Sequence, residues 1–178
     1  MSGIYKVLST FVVILLVLAA CAQSPKDRAS SDVTVYLVRH AEKVLDVPNP
    51  PLKRAGIERA EQLAIYMADR ELTHIHSTDY LRTLQTAEPT SIAQGLQVQL
   101  YNPRDLAAFA AELKQAPGVH LVVGHSNTTP QLVAALGGEP GTDIDEAAEY
   151  DRLYIVEVSG AGEVRSTLMR YGARYVPG

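Results

Sequence analysis

The sequence predicts a three-layer α/β sandwich with a mainly parallel central sheet flanked by helices. Short apolar runs rich in β-branched residues alternate along the chain with longer stretches of helical periodicity. Polar segments with proline or glycine separate them. The 178 residues are 47% hydrophobic, enough for one domain with a substantial core.

Val33 to Val38 reads as a first buried strand, followed by a polar loop with Pro48, Pro50 and Pro51. A helix is expected from about Leu52 to Arg70, because Ile57, Ala60, Ala64 and Met67 recur at helical spacing. His74 to Ser77 is a short second strand. The helix from Tyr80 onward is expected to be interrupted or ended by Pro89. Leu96 to Leu100 reads as a third strand, Pro103 to Gln115 as a helix and Val119 to Val123 as a fourth strand. Thr128-Thr129-Pro130 begins a helix with proline in its first turn. Leu153 to Val158 and Val164 to Tyr171 complete the sheet as a hairpin through Ser159 to Gly162.

The amino terminus differs from the rest. Lys6 precedes an almost unbroken apolar stretch from Val7 to Leu18, shorter than the ~20 residues that span a bilayer comfortably. Residues 1–20 therefore read as a secretory signal peptide, and Leu18-Ala19-Ala20-Cys21 resembles the bacterial lipobox. That resemblance implies cleavage before Cys21, a lipid on its sulfur and attachment to a membrane through this anchor. Ala22, in place of an aspartate, favours an outer-membrane address facing the periplasm. Residues 21–32 form a polar tether, leaving 33–178 as the domain. Cys21 is the only cysteine, so an intramolecular disulfide is excluded.

Net charge is −4, with no basic cluster, which argues against a nucleic-acid partner. The chain has no His-x-x-x-His or Cys-x-x-Cys spacing, no Gly-rich phosphate loop and no Gly-x-Ser-x-Gly elbow. Metal-dependent phosphatases and serine hydrolases lose on that ground, and no cofactor is expected.

Three polar groups follow predicted strands: His40 after the first, Arg82 shortly after the second and His125 at the end of the fourth. Ligand sites in open α/β sheets form outside the carboxyl ends of strands, so these residues should converge. Neutral imidazole suits attack on a phosphate monoester, because it escapes repulsion by the substrate's negative charge. His40 is accordingly the candidate nucleophile. Arg39 and Arg82 are forked donors for phosphoryl oxygens, and both favour the neutral form of His40. His125, behind Gly124, is a hydrogen-bond donor to the same phosphate, with the glycine expected to permit a tight turn. His74, His76 and His120 read as ordinary strand histidines.

The segments Arg39-His40-Ala41-Glu42, Ser77-Thr78-Asp79-Tyr80-Leu81-Arg82-Thr83-Leu84-Gln85-Thr86-Ala87 and Leu121-Val122-Val123-Gly124-His125 stand in this order. With Leu52-Lys53-Arg54-Ala55-Gly56, they resemble the motifs of the histidine phosphatase superfamily, which has the phosphoglycerate mutase-like fold. The resemblance runs from about Asp32 to Tyr171, with Lys53 and Arg59 departing from the usual Thr and Gln. It implies a metal-independent phosphoric monoester hydrolase of the histidine acid phosphatase type, acting on a small phosphorylated substrate through a phosphohistidine. Ala41-Glu42-Lys43 is similar to a subset of small secreted or lipoprotein members, and Lys43 is a further phosphate-binding candidate. Asp46 stands where many mutase-like members carry asparagine, which weakens a glycolytic mutase reading.

The general acid is not fixed by the sequence. The family places it after the arginine block or after the second histidine, but Ser126 follows His125. Glu112, Asp105 and Glu42 remain candidates. Two other functions stay open: a phosphohistidine phosphatase, and a phosphate-binding lipoprotein without turnover. Specificity is expected to reside in Glu42–Pro51, Tyr101–Glu112 and Gly138–Tyr150.

Overall fold

The computed structural model describes residues 32–177. The expected signal peptide, Cys21 and all of the tether but Asp32 lie outside the described residues. No helix among the described residues is long and apolar enough to cross a membrane.

In chain order the elements are β1 (Val33–Arg39), α1 (Arg54–Met67), β2 (His74–Ser77), α2 (Leu81–Gln94) and β3 (Val98–Leu100). These are followed by α3 (Leu106–Gln115), β4 (Gly118–Gly124), α4 (Thr128–Leu136), β5 (Arg152–Val158) and β6 (Val164–Arg170). One six-stranded sheet has the order β3-β2-β4-β1-β5-β6. The first four strands in that order run parallel, whereas β5 and β6 form the antiparallel hairpin that the glycine-rich turn predicts.

Alternation along β1 builds two cores. Val33, Val35 and Leu37 face α3 and α4, packing with Phe109, Leu113, Leu132 and Leu136. Tyr36 and Val38 face α1 and α2, packing with Leu63, Met67, Ile75 and Ala87. Leu63 and Met67 are fully buried, and each such side chain contributes about 1.5–3 kcal/mol. The helix after β1 covers one face and the helix after β4 the other. The crevice between these neighbouring strands is therefore a topological switch point.

Several boundaries depart from the sequence expectation. Helix α2 runs through Pro89 to Gln94. Thr86, Ala87 and Thr90 are buried on either side of the proline, and this packing holds a helix that has lost one internal hydrogen bond. Its stop is Gly95, in the left-handed conformation at φ 66°. Helix α1 starts at Arg54 because the backbone of Leu52 is engaged in an antiparallel bridge to Lys43. Its buried face is Gly56, Arg59, Ala60, Leu63 and Met67, so Ile57 points outward. Gly56 is what turns the helix this way: a Cβ there would collide with the backbone of Glu42.

The third helix begins at Leu106, not Pro103, because Asp105 caps it by accepting from the Ala108 N–H at 3.2 Å. Asp32 belongs to the domain instead of the tether. Its carboxylate accepts from Gly160 N at 2.9 Å and its carbonyl from Gly118 N at 3.0 Å.

Candidate active site

Strand register brings the two histidines together. Arg39 pairs with Gly124, so His40 and His125 leave the sheet side by side, and the His40 N–H donates to the Gly124 carbonyl at 2.9 Å. The rings meet edge to face with centroids 5.6 Å apart. Gly124 is needed for close approach instead of for a tight turn. A Cβ would lie 2.9 Å from both the Tyr101 hydroxyl and the Thr129 hydroxyl.

His40 is 3% exposed, and its Nδ1 lies 2.8 Å from the Ala41 carbonyl oxygen. A carbonyl only accepts, so Nδ1 carries the proton and Nε2 holds the free lone pair. Burial, with help from the charges of Arg39, His125 and Arg82, pushes His40 down to about 3 despite the Ala41 hydrogen bond. His125 is pushed to about 4 by burial and then by Arg82, Arg39 and Lys43. Both rings are neutral over the physiological range.

The arginine block explains itself locally. The Thr86 hydroxyl donates to the Arg82 carbonyl at 2.7 Å and accepts the Ala41 N–H at 2.9 Å. Gln85 accepts the Leu52 N–H at 2.8 Å. The Thr83 hydroxyl sits within 2.9 Å of the carbonyls of Thr78 and Tyr80, fixing the turn into α2. One face of α2 thus grips the loop after His40, and Arg82 is delivered beside it. Its guanidinium stacks over Tyr80, 4.5 Å from the ring centroid, and Tyr80 meets His125 edge to face at 5.2 Å.

Arg39 is placed differently from the forked clamp expected of it. It is 1% exposed, and Nη1 donates to the carbonyls of Asp145 at 3.1 Å and Glu149 at 2.9 Å. Nη2 donates to the Glu146 carbonyl at 2.7 Å. Three of its N–H groups therefore hold the turn before β5, and Nε is buried without a partner. The Tyr150 ring covers the guanidinium at 4.0 Å and lies 6.1 Å from His40.

Three residues whose charges bear on His40 each carry an orphaned nitrogen: Arg39 Nε, Arg82 Nε and His125 Nε2 are buried with no hydrogen-bond partner among the described residues. Buried donors left unpaired cost about 1–3 kcal/mol each, so their clustering marks a place built for an acceptor-rich ligand. Lys43 is half-buried nearby, and its charge acts on His125.

None of the three acids proposed from sequence lies with His40. Glu42 forms a two-bonded ion pair with Arg59, Asp105 is the cap of α3, and Glu112 lines a separate hollow with His76 and Asn102. His74, His76 and His120 are satisfied structural groups, as expected. His120 Nε2 donates to the Ala116 carbonyl at 2.8 Å, leaving its Nδ1 to accept from His76 Nε2 at 3.1 Å. His74 stacks on His120 at 4.5 Å.

Tyr80 was not singled out as a site element, and although Gly138–Tyr150 was expected to carry specificity, the hold of Arg39 on its 145–149 turn and on Tyr150 was not foreseen. Tyr80 stood within the motif, and its aromatic ring before Arg82 was the available signal. Tyr150 and the turn reach the site because β5 is antiparallel, so its amino-terminal end arrives where the parallel strands finish.

Geometry and topology define an α/β domain with a histidine pair at the switch point of its sheet. The sequence model of the histidine phosphatase superfamily, branch 1, matches residues 35–103, which include Arg39, His40 and Arg82. Over that segment the chain is similar to this superfamily, and its fold is similar to the solved structures that follow. Among solved structures it resembles the protein histidine phosphatase SixA complexed with tungstate, at 19% identity and TM-score 0.62, over 77% of this chain and 96% of that one. A putative phosphohistidine phosphatase SixA from Agrobacterium tumefaciens gives 22%, 0.60, 80% and 99% respectively. A mycobacterial glucosyl-3-phosphoglycerate phosphatase gives 15%, 0.59, 80% and 100%. No curated protein matches the sequence.

Proposed function

We propose that the domain is a metal-independent phosphoric monoester hydrolase that forms a phosphohistidine on His40. The observation that carries this reading is the ring of orphaned donors around a buried neutral imidazole. A phosphoryl group supplies the acceptor oxygens that Arg39 Nε, Arg82 and His125 Nε2 lack. Lys43 adds positive charge at the rim. His40 Nε2 attacks phosphorus, the ester oxygen departs, and the developing charge on the phosphoryl oxygens meets these donors. Water then breaks the phosphorus–nitrogen bond and frees phosphate.

Brief reaction of the wild-type chain with labelled 4-nitrophenyl phosphate should leave acid-labile, base-stable phosphate on the protein. His40→Ala should reduce turnover to background with an unchanged melting temperature. Substantial turnover in that variant would remove His40 from its role.

Likeness to two SixA structures favours a second reading, hydrolysis of protein phosphohistidine. A phosphohistidine peptide assayed beside an alkyl phosphate distinguishes the two. A catalytically silent phosphate binder would turn over neither.

The same proposal places the enzyme in the bacterial envelope, exported by residues 1–20 and lipid-anchored at Cys21, probed by acyl labelling. Cys21→Ser should abolish the label, and a soluble, unlabelled wild-type protein would refute the anchor. The outer membrane, periplasmic side, is the proposed address.

A further inference from the structure

Of the three expected acids, Glu42 is paired with Arg59, Asp105 caps α3 and Glu112 lines a separate hollow, yet an ester of a poor leaving group needs a proton on its departing oxygen. Among the described residues, a further carboxylate bears on both site arginines. Glu146 lies in the turn that Arg39 clamps, its own carbonyl accepting Arg39 Nη2 at 2.7 Å. Its side chain is exposed and makes no hydrogen bond or ion pair among the described residues. It lines a cavity of about 490 Å³ together with Ser126 and Asn127, the two residues directly after His125. Its charge also reaches both site guanidiniums. Burial lowers Arg82, opposed by Tyr80 and Glu146, and burial lowers Arg39, opposed by Tyr150, Glu146 and other acids.

The neighbouring acids are spent. Asp145 accepts from Ala147 N at 2.9 Å and the Tyr175 hydroxyl at 3.1 Å. Glu149 is paired with Arg152 at 2.7 Å and Arg170 at 2.9 Å, and Asp151 with Arg170 at 2.6 Å. Asp143 shares the cavity but does not bear on Arg39 or Arg82.

We propose that Glu146 is the proton donor to the leaving group, and that the cavity between Ser126 and Glu146 receives that group. The inference rests on the phosphatase reading above. In the first step His40 Nε2 bonds to phosphorus, the phosphorus–oxygen ester bond breaks, and the Glu146 carboxyl proton passes to the departing oxygen. Free alcohol and a Glu146 carboxylate result. In the second step the carboxylate takes a proton from water as its oxygen attacks phosphorus. The phosphorus–nitrogen bond breaks, phosphate leaves, and His40 and Glu146 return to their starting forms. The cavity brings Asp143 and Glu146 but no cationic side chain to the leaving group. It therefore suits neutral, hydroxyl-bearing or cationic alcohols and disfavours those carrying a second anionic group.

The test compares kcat/KM, which reports the first phosphoryl transfer, for 4-nitrophenyl phosphate and glycerol phosphate. Wild type, Glu146→Gln and Glu112→Gln are measured on both. Glu146→Gln should stay within about threefold of wild type on the nitrophenyl ester and lose about 10²–10⁴-fold on the alkyl ester. Glu112→Gln should match wild type on both esters. The Arg39 bond is to the backbone of residue 146, so the fold survives, which a melting curve checks. Equal losses on both esters, or none on the alkyl ester, would overturn the assignment of Glu146 while leaving the phosphatase reading intact. A wild-type protein inactive on both esters would overturn that reading and this one together.

Discussion

Arg59 lies side-on against Glu42, two residues beyond His40, with Nε to Oε2 at 3.0 Å and Nη2 to Oε1 at 2.9 Å. Arg59 also donates to the carbonyls of Tyr171 at 2.9 Å and Ala173 at 3.0 Å. The pair ties the loop after His40, helix α1 and the carboxyl-terminal segment into one unit. Both side chains are largely buried, at 6% and 14% exposure. Burial lowers Arg59, but the hydrogen bond and charge of Glu42 more than offset it and hold the guanidinium above its ordinary value.

Glu42→Gln should therefore act on stability. Removing one partner of a buried pair costs about 3–5 kcal/mol, because the other charge is left uncompensated. Denaturant unfolding should show a loss near the lower end of that range. The ratio of aryl to alkyl ester rates should not move. A stable variant with a selective loss on alkyl esters would make Glu42 the acid.

The two site arginines should separate by measurement. The Arg82 side chain makes no hydrogen bond among the described residues, so Arg82→Ala should lower kcat/KM by about 10²–10³-fold and barely shift melting. Arg39 holds three carbonyls of the 145–149 turn, and lysine cannot reproduce that fork. Arg39→Lys should lose activity and lower the melting temperature together. Equal melting of both variants would contradict the clamp.

Stability should decline on acidification from about pH 6.5. Burial is the first cause pushing His40 and His76 to about 3, His125 to about 4 and His120 below its ordinary value. Unfolded histidines protonate near 6.5, so between about 6.5 and 3 the unfolded state binds more protons. The contribution is complete above about 6.5 and is lost as pH falls through that window. Thermal melts from pH 8 to 4 check this, and a flat profile would refute buried neutral imidazoles.

Inorganic phosphate should stabilise the protein by filling the orphaned donors. At a concentration 100 times Kd, the linkage gain is about 2.7 kcal/mol. Differential scanning should show the shift in wild type and a much smaller one in Arg82→Ala. No group of three His, Cys, Asp or Glu able to hold a metal occurs among the described residues, so chelators should leave turnover unchanged. Loss with chelator and recovery with a divalent ion would count against the mechanism.

Much of this molecule was legible one residue at a time. Periodicity in Val33–Val38 and Val119–Val123 specified buried strands, because each must put branched side chains on both faces. His40, Arg82 and His125 could be singled out because chemistry needs those side chains after strands. The stop at Pro89 failed where packing of Thr86, Ala87 and Thr90 outweighed the lost hydrogen bond. On α1, Ala60 and Met67 are buried as the period predicts, but Ile57 is turned outward because Gly56 meets a backbone that is distant in sequence.

By itself, then, the sequence determined the layers and the order of elements and singled out His40 as the candidate nucleophile, since these follow from local hydrophobic period and side-chain chemistry. Tertiary structure alone decided how the charged residues divide their work. Glu42 faces Arg59, the Arg39 fork holds the 145–149 turn, and an antiparallel fifth strand carries Glu146 and Tyr150 to the parallel strands' carboxyl ends. A charge's role depends on which opposite charge or carbonyl lies within about 3 Å, and that neighbour is set by strand register and direction, which local sequence does not encode.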